Sequence, residues 1–211
     1  MPSKFRLRYI FKPLIKGIAK PLSKTGFTAN MATGVMFLNA ILSFVFLVVL
    51  FKNLILFSIF VFLTGIFDGV DGAIARLRNT QSAYGGFFDS FMDRLSEFVI
   101  FLALLIHFWD QKLWNIIDIS FIMLISLVSS IMISYSRAKA ESLFEGDFDI
   151  GLMARSERLF YLFITMIITF FIGYGLYFLF LFMLLVSLTA LFRGIKIYRG
   201  IKTGIYQQKL Y

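Results

Sequence analysis

Apolar residues fill long stretches of this chain, and charged residues collect between those stretches. Residues 31–51, for example, contain no charged side chain. About 20 apolar residues in a helix span the hydrocarbon core of a bilayer. The pattern predicts six membrane-spanning helices, at residues 31–51, 54–76, 87–108, 119–135, 159–172 and 176–190. The fifth is short, and we expect its helix to begin nearer Arg155.

Composition supports this interpretation, since 59% of the 211 residues are hydrophobic and 28 of them are Phe. Charged residues make up 16% of the chain, whereas a soluble domain carries about 25%. The predicted fold class is therefore an all-α integral membrane protein. The sequence contains no cysteine, which excludes disulfides and a catalytic thiol. Basic residues interrupt the first 24 positions, so they are not expected to form a secretory signal peptide.

The basic residues lie mostly on one side of the predicted helices. Of the 21 Lys and Arg residues, all but Lys52 and Lys112 fall on the side that carries both termini. Because loops on the cytoplasmic side are enriched in Lys and Arg, both termini are predicted to be cytoplasmic. The net charge of +9 then belongs to a membrane surface, and no nucleic-acid partner is predicted. We expect a multi-pass protein of the cell (plasma) membrane.

Residues 1–30 are predicted to form a juxtamembrane segment, and residues 31–211 the six-helix domain. Apolar side chains in the segment alternate with basic ones at Lys4, Arg8, Lys12, Lys16, Lys20 and Lys24. This pattern is typical of an amphipathic interfacial helix on an anionic leaflet. Pro13 and Pro21 are expected to interrupt that helix. A solvated basic tail is the alternative interpretation.

Four aspartates lie near the cytoplasmic ends of predicted helices two and three. Asp68 and Asp71 are three residues apart on helix two. Asp89 and Asp93 are four apart on helix three, so each pair shares one helix face. The short turn at residues 77–84 makes the two helices antiparallel neighbours, and the four carboxylates converge. Because four carboxylates repel one another, a cation must neutralise them, and carboxylate oxygens favour Mg²⁺, Mn²⁺ or Ca²⁺. Four carboxylates suit a two-metal site, which would clamp a phosphoryl group during its transfer.

A groove of small residues runs beside these acids. Gly65, Gly69 and Gly72 lie on one face of helix two. The backbone of a ligand can approach closely there, and Arg76 lies at the end of the groove, where it would meet phosphate. A stripe of small residues that packs against another helix is the alternative.

The segment 68–93 resembles the signature of the CDP-alcohol phosphotransferase family, which is D-x-x-D-G-x-x-A-R, eight residues, and then G-x-x-x-D-x-x-x-D. All eight specified positions match, at Asp68, Asp71, Gly72, Ala75, Arg76, Gly85, Asp89 and Asp93. The six-helix layout and the preceding amphipathic segment also fit that family. One departure is Ala29-Asn30, where relatives often have Pro-Asn.

The resemblance implies that an alcohol attacks the β-phosphorus of a CDP-linked lipid and that CMP leaves. It implies that Asp68, Asp71 and Asp89 bind Mg²⁺ or Mn²⁺. Asp93 would be the catalytic general base and would also lie near the second metal. The residues expected to contact the CDP portion are Gly72, Ala75, Arg76 and Gly85, with Gly69 added from the groove. Membrane lipids and a second copy of the chain, in a homodimer, are the other expected partners.

Basic residues at the cytoplasmic ends of helices four to six suit a phosphorylated alcohol acceptor, because Arg pairs well with phosphate. They are similar to the basic residues of phosphatidylinositol-phosphate and archaetidylinositol-phosphate synthases. The first candidates for the acceptor phosphate are Arg137, Arg155 and Arg193, followed by Lys139 and Arg158. Inositol 1-phosphate is the expected acceptor, glycerol 3-phosphate is the alternative, and serine ranks third. Ordinary positive-inside charge also accounts for basic residues at these helix ends.

Other polar residues are assigned no catalytic role. The acids of the loop before helix five are interpreted as solvated and not as a calcium site; they are Glu141, Glu145, Asp147 and Asp149. Asp118 is predicted to cap helix four, and His107 to lie at the membrane interface. Glu97 either supports Asp93 or pairs with Arg94. An ion-coupled transporter is the distant alternative function, which the crowding of the aspartates at one membrane face disfavours.

Overall fold

The structure, a computed structural model, describes residues 7–50 and 52–209, and only the backbone of Arg8 and Tyr9. These residues form two compact units. The N-terminal unit comprises residues 7–109 and Leu159–Gly175, and the C-terminal unit comprises Asp110–Arg158 and residues 176–209. Lys4, the first basic residue of the predicted amphipathic segment, lies outside the described residues, as does Phe51 at the end of the first predicted span.

The N-terminal unit is built around the packing of α3 against α4 and α5. Its elements are α1 Leu7–Ile10, α2 Lys12–Lys24, α3 Ala29–Phe44 with a π-helical continuation Val45–Leu50, α4 Leu54–Arg78, α5 Ala83–His107, and all but the first turn of α7 Arg155–Ile172. Polar side chains begin three of these helices, because each accepts hydrogen bonds from the otherwise unpaired N–H groups of the first turn. Those N-caps are Thr28 for α3, Asn53 for α4 and Ser82 for α5.

The C-terminal unit contains two long helices and two short strand pairs. Its elements are β1 Lys112–Leu113, β2 Ile117–Asp118, α6 Ile119–Leu143, β3 Phe144–Glu145, nearly all of α8 Gly175–Lys202, and β4 Gln207–Gln208. Both pairs are antiparallel, with Lys112 opposite Asp118 and Phe144 opposite Gln208. Asp118 caps α6 as predicted, by accepting from the Ser120 N–H at 2.8 Å. Hydrogen bonds from Ser120 hold the pKa of the Asp118 carboxyl below its ordinary value.

The structure supports the predicted all-helical membrane architecture, with candidates for four of the six predicted spans. The helices long and apolar enough to cross a membrane, among the described residues, are Ala29–Leu50, Leu54–Arg78, Ile119–Leu143 and Gly175–Lys202. The other two predicted spans correspond to α5 and α7, which carry several charged residues in their N-terminal halves. The largest extensions beyond the predicted spans are at α6 and α8, which continue past residues 135 and 190 through turns that contain basic side chains.

The prediction that Pro21 interrupts the N-terminal helix is wrong, since α2 continues through Pro21 to Lys24. A proline in a helix removes one backbone hydrogen bond, and here the loss falls in the last turn. Packing against α4 offsets that loss, because Ala19 is fully buried in a cluster with Ile66 and Val70. The lysines of α2 are solvent-exposed in the structure, at Lys12, Lys16, Lys20 and Lys24.

The contact between α2 and α4 depends on Gly69. A Cβ atom at Gly69 would lie 2.5 Å from the Ile15 Cδ1 atom, so a larger residue would have to shift the Ile15 side chain. The helix-packing alternative for the small-residue groove therefore applies at Gly69. It also applies at Gly65, where an added Cβ would contact Leu159 at 3.7 Å.

We expect Gly69→Ala to lower the thermal stability of the detergent-solubilised protein, because the added methyl group overpacks the α2–α4 contact by about 1–3 kcal/mol. The double variant Gly69→Ala, Ile15→Ala is expected to regain part of the loss. Gly17→Ala is the matched control, since an added Cβ there meets no atom within 4 Å. Equal melting temperatures for Gly69→Ala and the wild type would contradict this packing role.

Candidate active site

A four-residue turn, residues 79–82, joins α4 to α5 and brings the acidic ends of the two helices side by side. Asn79 ends α4 in the left-handed conformation, with φ of 54°, and its N–H donates to the carbonyls of Ala75 and Arg76. Ser82 begins α5 by accepting from the Gly85 N–H at 3.0 Å. The turn is shorter than the predicted 77–84, because these two caps extend both helices toward it.

Three of the four predicted aspartates, all on α4 and α5, come together in the structure. Asp68, Asp89 and Asp93 each place one carboxylate oxygen within 4.8 Å of the other two. All three side chains are partly buried. The convergence predicted from helix spacing is thus confirmed for one acid of α4 and both acids of α5.

Asp71 is the fourth aspartate, and α3 holds it in place. Its side chain is only 4% exposed, and its Oδ2 atom accepts from the Thr33 hydroxyl at 2.9 Å. Its Oδ1 atom accepts from the backbone N–H of Gly72. Asp71 lies close enough to Asp68 and Asp89 to interact with them electrostatically, so negative charge on these neighbours disfavours negative charge on Asp71. Sequence reasoning missed Thr33, because nothing local to the chain links it to an acid 38 residues away.

A divalent cation fits the donor set of this cluster. Mg²⁺ binds oxygens at about 2.1 Å, so its ligands lie up to about 4.2 Å apart, close to the spacing of the three carboxylates. Arg94 supplies one positive charge, with its Nη1 atom 3.7 Å from the Asp93 Oδ2 atom. That Arg94 side chain is 39% exposed, which weakens its contribution. The balance of charge therefore favours a metal ion with oxygen ligands.

The predicted nucleotide-binding residues lie on both sides of the turn. The Arg76 guanidinium extends back over Gly72, where a Cβ atom would lie 3.3 Å from Arg76 Nη1. Arg76 is exposed, and Ala75 is partly buried beside it. At Gly85, an added Cβ would lie 3.7 Å from the Asn30 side-chain oxygen. Small residues thus leave the backbone accessible next to an exposed guanidinium.

All five predicted acceptor residues lie in the C-terminal unit, and Arg193, on α8, is 2% exposed. Its Nε atom donates to the Ile150 carbonyl at 2.5 Å, and its Nη1 atom donates to the Ile133 carbonyl at 2.9 Å. Its Nη2 atom lies 3.4 Å from the Asp149 carboxylate. Arg193 therefore ties the loop before α7 to α6.

The interpretation of the acidic loop as solvated is wrong for Asp149, whose side chain is 5% exposed. Besides Arg193, it faces Arg137, whose Nη1 atom lies 3.6 Å from the same Asp149 oxygen. Arg137 also donates to Glu141 at 2.7 Å. A buried carboxylate between two guanidiniums is stabilised by both of them.

The remaining acceptor candidates differ in accessibility. Arg158 is 1% exposed, and its Nη1 atom donates to the Met153 carbonyl at 2.9 Å. Lys139 is exposed, whereas Arg155, the first residue of α7, is partly buried. Arg137 is also accessible, since 40% of its side chain is exposed.

Comparison with known proteins identifies the family of this chain. A family model described as CDP-alcohol phosphatidyltransferase matches residues 28–198. The archaetidylinositol phosphate synthase of Pyrococcus horikoshii is 34% identical over 161 residues, which cover 76% of this chain and 80% of that protein. The phosphatidylinositol phosphate synthase of Mycobacteroides abscessus is 32% identical over 155 residues, which cover 72% of this chain and 67% of the relative.

Solved structures agree with the sequence comparisons. The phosphatidylinositol phosphate synthase of Mycobacterium tuberculosis with CDP-DAG bound is 26% identical, with a TM-score of 0.66 over 89% of this chain and 92% of that chain. The same enzyme in complex with manganese and citrate gives a TM-score of 0.69 over 87% of this chain and 88% of that chain. From the motif, the carboxylate cluster and these similarities, we conclude that the chain belongs to the CDP-alcohol phosphatidyltransferase family.

Proposed function

We propose that the protein transfers the phosphatidyl-type group of a CDP-linked lipid to inositol 1-phosphate and releases CMP. The observation that carries this proposal is the convergence of Asp68, Asp89 and Asp93 within the family signature. The relatives named as phosphatidylinositol or archaetidylinositol phosphate synthases support the acceptor. Glycerol 3-phosphate, the second candidate, presents the same phosphate to the same basic residues.

The aspartates hold divalent cations in this proposal, with Asp68, Asp71, Asp89 and Asp93 as the ligands of a two-metal site for Mg²⁺ or Mn²⁺. The relative crystallised with manganese supports the choice of metal. A bound divalent cation neutralises charge on the phosphates as the transfer proceeds. Asp93 also accepts the proton of the acceptor hydroxyl. The hydroxyl oxygen then bonds to the β-phosphorus, and the bond from that phosphorus to the CMP oxygen breaks.

The nucleotide lies against the residues on either side of the α4–α5 turn. Gly72, Ala75 and Gly85 let the CDP portion approach the backbone, and Arg76 donates to its phosphates. The exposed guanidinium of Arg76 beside Gly72 supports this arrangement. Gly69 contributes through its backbone alone, because Ile15 fills the space where a side chain would extend.

The acceptor phosphate binds to the basic residues at the ends of α6, α7 and α8. Arg137, Arg155 and Lys139 are accessible enough to donate to it directly. Arg193 and Arg158 hold the backbone around the site through the carbonyls of Ile150 and Met153, in addition to any contact with the phosphate.

We propose that the protein lies in the plasma membrane and crosses it six times. Both termini and the active site face the cytoplasm. Residues 1–30 include an interfacial helix whose exposed lysines face anionic lipid, and residues 31–211 form the catalytic domain. The four exposed lysines of α2, opposite the face that packs on α4, support the interfacial position. A homodimer completes the proposed assembly.

We expect Asp93→Asn to reduce CMP release by roughly 10²–10⁴-fold, because an amide cannot accept the hydroxyl proton. The variant is expected to melt at the wild-type temperature or above it, since it removes one of several repelling charges. Asp118→Asn is the control, because Asn caps a helix as well as Asp does and residue 118 lies outside the cluster. Wild-type turnover by Asp93→Asn would remove Asp93 from the mechanism.

Purified protein should use inositol 1-phosphate in preference to glycerol 3-phosphate, serine or unphosphorylated inositol, when assayed with diacyl and diether CDP-lipids. The double variant Arg137→Ala, Arg155→Ala is expected to raise the KM for the phosphorylated acceptor and leave that for the CDP-lipid unchanged. Arg199→Ala is the matched control, since it removes an exposed basic residue of α8. If Arg199→Ala raised the acceptor KM equally, general surface charge would explain the effect.

The proposed topology predicts which introduced cysteines react with a membrane-impermeant maleimide in intact cells. The chain has no cysteine, so each single variant gives an unambiguous signal. Lys52→Cys and Lys112→Cys should label from outside, whereas Lys24→Cys and Lys202→Cys should label after permeabilisation. Labelling of Lys202→Cys in intact cells would contradict the cytoplasmic C-terminus.

A further inference from the structure

We infer that Tyr206 is a positioning residue for the acceptor-phosphate site, because its ring holds in place the loop that pairs with Arg137 and Arg193. The packing of the Tyr206 ring on this loop is called the latch below. The loop, residues 146–154, is called the acceptor loop below. This inference rests on the proposed function of the basic residues. It assigns to the segment after α8 a role in acceptor binding as well as in stability.

The segment after α8 folds back onto the end of α6. At Gly204 the chain turns with φ of +70°, and the Ile205 N–H donates to the Gly200 carbonyl at 3.0 Å. β4 then pairs with β3, which lies directly before the acceptor loop. Lys209 completes the attachment, because its N–H donates to the Leu143 carbonyl at 3.0 Å and its Nζ atom donates to the Glu141 carbonyl at 2.6 Å.

Two glycines create the space that the Tyr206 ring fills. A Cβ atom at Gly200 would lie 2.4 Å from the ring, and one at Gly146 would lie 2.7 Å from it. Gly146 also has a φ of +153°, which disfavours other residues. The ring packs on Phe148, with 4.5 Å between ring centroids. Tyr206 therefore contacts both α8 and the acceptor loop.

The acceptor loop in turn holds the charged groups. Phe148 is fully buried and directly precedes Asp149, whose carboxylate faces Arg193 at 3.4 Å and Arg137 at 3.6 Å. The next carbonyl, of Ile150, accepts from Arg193. Release of Phe148 would thus move two groups that Arg193 contacts and one that Arg137 contacts. Because a displacement of about 1 Å in a positioned group can cost up to about a hundredfold in rate, we expect loss of the Tyr206 contact to impair use of the acceptor.

The test compares Tyr206→Ala with Tyr206→Phe and Gly200→Ala in steady-state assays that vary each substrate separately. Tyr206→Ala and Gly200→Ala are expected to raise the acceptor KM roughly tenfold, with the KM for the CDP-lipid unchanged. Tyr206→Phe keeps the ring and should match the wild type. Gly194→Ala is the matched control on α8, since an added Cβ there meets no atom within 4 Å.

The glycine and the tyrosine should also act as one unit. Gly200→Ala is expected to add no further effect in the Tyr206→Ala background, because the ring with which its methyl group clashes is gone. Equal acceptor KM values for Tyr206→Ala and the wild type would overturn the positioning role. A uniform loss of kcat with both KM values unchanged would do the same, since it indicates a general loss of active protein.

Amide hydrogen exchange separates this inference from the proposed acceptor. We expect Tyr206→Ala to accelerate exchange at residues 144–154 and to leave exchange in α3 and α4 unchanged. Unchanged exchange in the acceptor loop would overturn the latch whichever acceptor the enzyme uses. If the wild type turns over serine and no phosphorylated acceptor, the proposed function fails, while faster exchange in Tyr206→Ala still supports the latch.

Discussion

Repulsion among the aspartates at the joined ends of α4 and α5 is the constraint on which the N-terminal unit depends. Three carboxylates meet within 4.8 Å, and the buried Asp71 lies close enough to interact electrostatically with two of them. The protein offsets part of this repulsion with the Thr33 hydroxyl, the Gly72 N–H and the exposed Arg94. Bound cations would offset the rest, and this is the physical reason why the proposed function assigns divalent metal ions to the cluster.

Packing from outside keeps these acids in place. α3 packs against both α4 and α5, and its Thr33 reaches the most buried aspartate. On the other side, α2 packs its apolar face on α4 through the contact of Ile15 with Gly69. Gly69, at an unspecified position between two aspartates of the signature, thus serves the helix contact that supports the site. α2 and α4 are therefore in close contact at Gly69, where an added methyl group would have to move the Ile15 side chain.

The C-terminal unit uses a different solution for buried charge. Arg193 is nearly fully buried, and backbone carbonyls of α6 and of the acceptor loop share its donors with Asp149. Such an arrangement is costly to assemble, but removal of one partner leaves an uncompensated charge, so it specifies a single loop position. Tyr206 and its two glycines add an apolar contact to the same loop. The residues that stabilise this loop, among them Asp149 and Tyr206, therefore also determine how the accessible Arg137 is oriented.

The sequence by itself determined the features that are local to the chain. Helix periodicity and a short turn were sufficient to predict four apolar helices and the convergence of Asp68, Asp89 and Asp93, because helices joined by a short turn lie side by side. Tertiary structure alone decided the continuation of α2 through Pro21, the burial of Asp149, and the partnerships Thr33–Asp71, Ile15–Gly69 and Tyr206–Gly146. In those partnerships the residues lie 38 to 60 positions apart, and their contact depends on how whole helices pack, which no local pattern encodes.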